Sequence, residues 1–210
     1  MHELLLNESA SIPSMLSQLK LLPEEQTNEL DKYFPPNKYD YFAQQIDLRP
    51  SNSWILKLSD VSPLEMLETQ VINNIVPFIL CSKLKALMLK SAFPDRYILN
   101  VSAMEGTFYR YKTANHPHTN MAKAALNMMT RTSAVEYMAS GIYMTSIDTG
   151  WVTDERPVGF LKAKGHGDVP PPPLDELDGA MRVLDPCFMG IREGRCEYGV
   201  LFKDYKISRW

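Results

Sequence analysis

Glycine is missing from the first half of this sequence. Of ten glycines in 210 residues, the first is Gly106. Everything before it therefore lacks a glycine-rich turn, the device that lets backbone N–H groups approach a phosphate at a helix N-terminus. Cysteine is scarce as well. Cys81, Cys187 and Cys196 are widely spaced and odd in number, which excludes a disulfide framework and a zinc spacing and points to a reducing, intracellular (cytoplasmic) setting. Positive charge is not in excess: the net charge is −3 and the pI about 5.8, so no nucleic-acid partner is expected. Long apolar runs are absent too. Ile75–Cys81, interrupted by Pro77, is too short to span a bilayer, and no membrane partner is expected. The opening "MHELLLNE" carries an acid where a signal peptide carries bases. His116 and His118 find no cysteine or carboxylate nearby to complete a ligand set, so no metal is expected.

The composition, 45% hydrophobic and 22% charged, is that of a globular chain long enough for one domain with an extension. Residues 1–38 read as helical fragments, "MLSQLKLL" and "NELDKYF", stopped by Pro35 and Pro36. The segment "KYDYFAQQIDLRPSNSW" yields no assignment. A long helix comes next, over 63–91. Ser62 caps it, Pro63 suits its first turn, Glu65 stands three residues after the cap, and Leu64, Leu67, Val71, Ile75, Phe78 and Leu84 recur at helical spacing.

"RYILNVSA" at 96–103 and "GIYMTSID" at 141–148 read as apolar strands. Between them "HTNMAKAALNMMTRTSAVEYMASG" reads as an Ala- and Met-rich helix closed by Gly141. Strand, helix and strand in that order make a βαβ unit, hence a parallel sheet with a right-handed crossover. "VPPPP" at 169–173 is a stiff extended segment. "LDELDGAMRVLD" is a helix that Pro186 should stop, and "YGVLFKDY" at 198–205 is a last strand beside the second. The fold class expected is α/β.

Four stretches in register carry a family likeness: Asn73 in "VINNIVPF", Ser102 in "LNVSAMEG", Lys123 in "NMAKAAL", and "GIYMTSIDTGWVTDE". From about residue 47 onward the chain resembles the C-terminal half of a short-chain dehydrogenase/reductase. "HPHTNMAKAALNMMTRTSA", "DTGWVTDE" and "LFKDY" are similar to a divergent subgroup in which Thr likewise replaces the family's tyrosine. The resemblance implies a partial Rossmann-like three-layer α/β/α domain with a parallel sheet over 47–210. It would lack the N-terminal glycine-rich βαβ half and carry a helical extension over 1–46. It further implies NAD(P)-dependent oxidation or reduction of a carbonyl/alcohol pair. By resemblance Ser102 orients the substrate oxygen, Lys123 holds the cofactor ribose and tunes the acid, and Asn73 supports a proton-relay water. Thr149, Gly150, Val152 and Thr153 would line the cofactor's nicotinamide side.

The chemistry explains those residue types without the family. Hydride transfer at a carbonyl carbon needs a matched proton donor or acceptor on oxygen. A tyrosine hydroxyl serves when a lysine ammonium lowers its pKa, and a lysine four residues later on a helix shares its face. Thr119 stands four residues before Lys123. A threonine hydroxyl can hydrogen-bond a substrate but has no accessible acidic pKa. Tyr109, Tyr111, His116 and His118 are the alternative acids. His118 is attractive because histidine titrates near neutrality and this one adjoins the Lys123 helix.

Each residue also has a plain structural role open to it: Ser102 in a turn, Lys123 solvated on a helix, Asn73 a helical amide bonded to backbone, 149–153 a simple loop. Three functions are open to such a chain: an NAD(P)-dependent oxidoreductase half acting with a partner polypeptide that completes the sheet, a non-catalytic scaffold derived from one, or a small-molecule binding module in the same cleft. The small-molecule partner would be a carbonyl or alcohol, and the resemblance also allows a homo-oligomer. The strand at 96–103 has no prolines or inward charges to protect an edge, so either the first 60 residues or a second polypeptide is expected to cover it.

Overall fold

The computed structural model describes residues 19, 30–39, 44–163 and 172–210. Apart from Leu19, the expected "MLSQLKLL" helix lies outside these residues, as does most of "VPPPP". "NELDKYF" contributes one short helix, α1 (Leu30–Tyr33). The described residues of the unassigned segment after it are irregular, with an isolated antiparallel bridge between Tyr39 and Gln45. Asp47 organises the stretch up to residue 52. Its carboxylate accepts from Arg49 at 2.8–3.1 Å and from Asn52 at 3.0 Å, and its carbonyl accepts from the Val158 N–H at 3.0 Å.

Helix α2 (Pro63–Met88) starts as its sequence dictates: the Ser62 hydroxyl accepts from the Glu65 N–H at 3.1 Å, and Pro63 occupies the first turn. Its middle widens into a π-helical turn, Val71–Ile75. Pro77 gives the reason: it has no N–H for the Asn73 carbonyl and its ring crowds that oxygen, so a wider turn relieves the clash. The helix stops at Met88 rather than residue 91. Arg96 then fastens its end to the sheet, donating to the Met88, Ser91 and Pro94 carbonyls at 2.7, 2.8 and 3.2 Å.

Strands β1 (Arg96–Ser102) and β2 (Ile142–Asp148) are parallel neighbours, Arg96 opposite Ile142 and Ser102 opposite Asp148. Helix α3 (Pro117–Met138) crosses between them, and Gly141, at φ +68°, closes the turn into β2. A short helix α4 (Val158–Ala163) comes after β2. Helix α5 (Glu176–Glu193) begins on a reciprocal capping box between Asp175 and Asp178. Here one expectation fails: Pro186 does not stop α5. The proline removes one intrahelical hydrogen bond, but its ring is buried, and close contacts flank it where Gly190 admits Tyr97 and Gly179 admits Val152. The true stop is Gly194 at φ +68°.

The last strand is also shorter than expected. β3 (Leu201–Lys203) pairs parallel with β2, then Asp204 and Tyr205, both at positive φ, turn the chain into β4 (Lys206–Ser208), antiparallel to β3. Two consecutive left-handed residues are the geometry of a two-residue hairpin turn. "DY" lacks the glycine that usually signals it, which hid β4 in the sequence. The four-stranded order is β1-β2-β3-β4.

The sheet is sandwiched between α2 with α3 on one face and α5 on the other. Ile142, Met144, Ala134 and Tyr137 form the fully packed core, with Ile98, Cys81 and Met88 against it. On the opposite face Tyr97, Tyr143 and Tyr198 lie in a row with ring centroids 5.9 and 6.5 Å apart.

Among the described residues none pairs with the outer edge of β1; within 44–60, the Asp47 and Leu56 carbonyls accept instead from the Val158 and His116 N–H groups. And α2, at 26 residues, is by length and composition long and apolar enough to cross a membrane, because its apolar residues continue around the helix where the sequence offered only a short uninterrupted run. No residue of its most apolar stretch is fully buried: Leu67 is 61% exposed, Phe78 59% and Leu87 62%.

Candidate functional site

Open parallel sheets hold ligands beyond the C-terminal ends of their strands. Here those ends are Ser102 of β1 and Asp148 of β2, directly opposite one another. Ser102 is buried, and its hydroxyl donates to the Asn127 Oδ1 at 2.6 Å. The Asn127 amide in turn donates to the Gly106 carbonyl at 3.3 Å, in a turn of 3-10 helix over Met104–Gly106. A Cβ on Gly106 would stand 2.6 Å from the Lys123 backbone, so glycine is required where this turn presses on α3. Behind Ser102 a second buried network joins the layers: the Asn100 amide and the Ser146 hydroxyl both donate to the Thr130 Oγ1, at 2.9 and 2.8 Å.

Lys123 leaves α3 at the outer edge of β1, and its ammonium donates to the Val101 carbonyl at 3.1 Å. Burial pulls its pKa below the usual lysine value, opposed by the Glu105 carboxylate. Asn73, in the π-helical turn of α2, donates to the Thr69 carbonyl at 3.1 Å. Asn73 and Lys123 line one cleft of about 500 Å3, which runs between α2 and β1 and is mostly apolar, with Leu80, Leu84, Leu99 and Val101 among its walls beside Asn100 and Tyr97. Ser102 is not in its lining.

Thr119 is half-buried one turn before Lys123, and its hydroxyl makes no hydrogen bond among the described residues. His118 is 2% exposed; its Nε2 lies 3.4 Å from the Glu65 carboxylate, which the Ser53 hydroxyl also contacts, yet neither ring nitrogen makes a hydrogen bond among the described residues. His116, at φ +41°, precedes α3 with its ring edge-on to Trp54 at 5.1 Å and its Nδ1 unbonded. Burial lowers its pKa, with Glu105 opposing. The two tyrosines stand elsewhere. Tyr111 is 92% exposed, and the Tyr109 hydroxyl meets the Ser208 hydroxyl of β4 at 3.1 Å.

The loop after β2 is tied down. Asp148 is 4% exposed; it accepts from the Gly150 N–H at 2.7 Å and pairs with Lys203 at 3.3 Å. Gly150 takes φ +81°, and a Cβ there would stand 2.5 Å from Leu174. The Thr149 hydroxyl donates to the Gly150 carbonyl at 3.4 Å, the Thr153 hydroxyl reaches the Glu155 carboxylate at 3.2 Å, and Val152 packs on Gly179. Segment 52–56 closes over this loop. Asn52 donates to the Glu155 carbonyl at 2.6 Å and the Trp54 indole to the Glu155 carboxylate at 2.5 Å, while the Leu56 carbonyl accepts from the His116 N–H at 2.8 Å.

The tertiary structure thus brings Asn73 and Lys123 together and sets Ser102 behind them. The 149–153 loop lies beyond the next strand. Sequence reading missed Asn127, Glu105, Glu65 and Asp148. Asn127, four residues after Lys123, was the one with a signal: it repeats the helical spacing that singled out Thr119 and Lys123. Among the described residues no cluster of three His, Cys, Asp or Glu side chains could hold a metal ion.

No family model matches the chain. It is 31% identical over 166 residues to an uncharacterised protein, R665, of Acanthamoeba polyphaga mimivirus, the match covering 74% of this chain and 35% of that one. Among solved structures it is similar to the NADPH-bound carbonyl reductase from chicken fatty liver, with TM-score 0.53, 19% identity, and 77% of this chain and 64% of that one covered. The carbonyl reductase Sniffer of D. melanogaster gives TM-score 0.55 and 19% identity, over 74% of this chain and 61% of that one. 4-Hydroxyisoleucine dehydrogenase complexed with NADH and succinate gives TM-score 0.53 and 18% identity, over 73% and 63%. The chain spans about a third of its mimivirus relative and less than two thirds of each of these structures. Its described residues have the Rossmann-like α/β fold of the short-chain dehydrogenases/reductases.

Proposed function

We propose that this chain is the substrate-side half of an NAD(P)-dependent oxidoreductase that interconverts a carbonyl and an alcohol and works when a further polypeptide completes its sheet. The observation that carries the reading is Lys123. Its half-buried ammonium stands at the C-terminal end of a parallel strand, in one cleft with Asn73, in a fold shared with carbonyl reductases.

The described residues fit only part of a dinucleotide. Lys123 can bind ribose hydroxyls, and Thr149, Gly150, Val152 and Thr153 can border a nicotinamide. No strand followed by a glycine-rich turn precedes β1 among the described residues, so nothing there cradles a pyrophosphate. The cofactor would supply the hydride. This chain's own residues would orient the substrate oxygen through Ser102 and hold charge near it through Lys123. Asn73 would anchor a relay water, and Thr119 or His118 would contact the oxygen. The free cysteines Cys81, Cys187 and Cys196 suit a reducing compartment.

A second reading, a non-catalytic scaffold with the same fold, draws support from two bonds: the Ser102 proton is committed to Asn127, and the Lys123 ammonium to Val101. Calorimetric titration separates the readings. The chain alone should bind neither NADH nor NADPH, whereas the completed assembly should bind one at micromolar concentration and oxidise it with a carbonyl substrate. An assembly that binds neither cofactor would refute the oxidoreductase and leave the scaffold. Micromolar binding by the chain alone would reveal a phosphate cradle that the present reading lacks.

A further inference from the structure

The cleft between α2 and β1 runs along a strand edge that no described residue pairs with. In β2, the Met144 carbonyl accepts from Gly199 and the Ser146 N–H donates to Val200, so even-numbered β2 residues bond toward β3 and odd-numbered ones toward β1. By the register, Ile98, Asn100 and Ser102 of β1 engage those odd residues. The backbone groups of Tyr97, Leu99 and Val101 therefore face the open edge. The Val101 carbonyl confirms it, because Lys123 reaches it around that edge from the α3 face.

Above the edge lies α2, a helix entering a parallel strand. In a βαβ unit such a helix covers two adjacent strands, yet the residues before it, 47–62, contain no strand. Leu80 and Leu84 overhang the position beside β1, and Val101 is 46% exposed below. A two-fold copy of the chain does not fit there, since a second α2 would need the same space above the shared seam. Each longer protein matched has length that this chain does not span.

We propose that the cleft receives an apolar β-strand of about five to seven residues from a polypeptide outside this chain, parallel to β1, and that its docking releases Lys123. A parallel strand offers N–H groups to the Val101 and Leu99 carbonyls and occupies the place of the ammonium. Lys123 is then free to turn within the cleft toward Asn73, or along α3 toward Thr119 one helical turn before it. Completion of the sheet thereby arms the residue on which the proposed oxidoreductase reading rests.

The probe is the portion of R665 outside the matched 166 residues, produced as a separate polypeptide and added to the full chain. Amide exchange at Tyr97, Leu99 and Val101 should be fast in the chain alone and slow at least about a hundredfold with the probe, while acylation of the Lys123 amine speeds up several-fold. Leu99→Pro should abolish both effects and still fold, because the Leu99 N–H makes no bond to β2 and proline is tolerated at a sheet edge. Protection of these amides in the chain alone would mean that its own residues cover the edge, and would overturn the proposal. Protection confined to the outer face of α2 around Leu67 and Phe78, or none at all, would overturn it equally. Unchanged Lys123 acylation on docking would overturn the release. Neither readout needs cofactor or turnover, so a catalytically inert assembly would leave these results interpretable.

Discussion

Replacing Thr130 by valine tests whether the buried polar network holds the site end of the sheet to α3. Thr130 is wholly buried, and its Oγ1 accepts from Asn100 at 2.9 Å and from Ser146 at 2.8 Å while donating to the Leu126 carbonyl at 3.1 Å. Valine keeps the shape and removes the oxygen. Two buried donors then lose their acceptor, and an orphaned buried donor costs about 1–3 kcal/mol. Reorientation of the Ser146 hydroxyl recovers part, so T130V should destabilise by about 2–4 kcal/mol, a large share of an ordinary domain's stability. T130S keeps the oxygen and loses one methyl, about 1 kcal/mol. In urea, with a slope of about 2 kcal/mol per molar, T130V should lower the midpoint by about 1–2 M and T130S by about half a molar. Adding S146A to T130V removes one orphan and should restore part of the loss. If T130V unfolds at the same midpoint as T130S, the network contributes nothing through its hydrogen bonds and the reasoning fails.

In a completed assembly, Lys123→Met should reduce turnover far more than Thr119→Val, because an ammonium binds ribose and shifts a neighbour's pKa whereas a threonine hydroxyl does neither by charge; equal losses would show the roles misassigned. Gly106→Ala should lower the melting temperature by several degrees, since its Cβ would meet the Lys123 backbone at 2.6 Å and overpacking of this kind costs about 1–3 kcal/mol; an unchanged melting curve would show that the turn simply moves aside. At Asp47 burial pushes the carboxyl up, but its hydrogen bonds and charge contact with Arg49 prevail and hold it below the usual carboxylate range. A depressed folded-state pKa means stability that is complete above about pH 4 and is lost as pH falls further, so Asp47→Asn should flatten the acid arm of the unfolding profile. At His116 burial acts the other way and lowers the pKa, so the fold should begin to weaken as pH falls below about 6.5, where only the unfolded chain takes up the proton, and the loss should be complete once the folded imidazole protonates at lower pH; its ring shifts in NMR would show that midpoint.

The helices and central strands were legible because their signals are local. Ser62, Pro63 and Glu65 announce the start of α2, and Gly141 announces the turn into β2, since each acts on backbone groups within a few residues. Apolar strands on either side of an Ala-rich helix imply a parallel pair, and the register bears this out. The failures have physical causes as well. Pro186 reads as a helix stop because sequence shows its missing N–H but not the contacts on either side that keep α5 whole. β4 was invisible because Asp204 and Tyr205 adopt left-handed conformations that neither residue type advertises.

By itself the sequence determined the α/β class, the βαβ unit at the centre and the lack of a glycine-rich turn ahead of it, because periodicity, caps and turn residues act over short distances. It also placed Ser102 at a strand end and Lys123 one helical turn after Thr119. Only the tertiary structure decided what those side chains do. Ser102 turns its proton to Asn127 rather than outward, and Lys123 reaches to the Val101 carbonyl around an edge that no described residue pairs with. Asn73 joins Lys123 in one cleft although 50 residues separate them along the chain. Such partners are chosen by the packing of helices across a sheet, and no local pattern in the chain encodes which hydroxyl, amide or carbonyl will stand opposite.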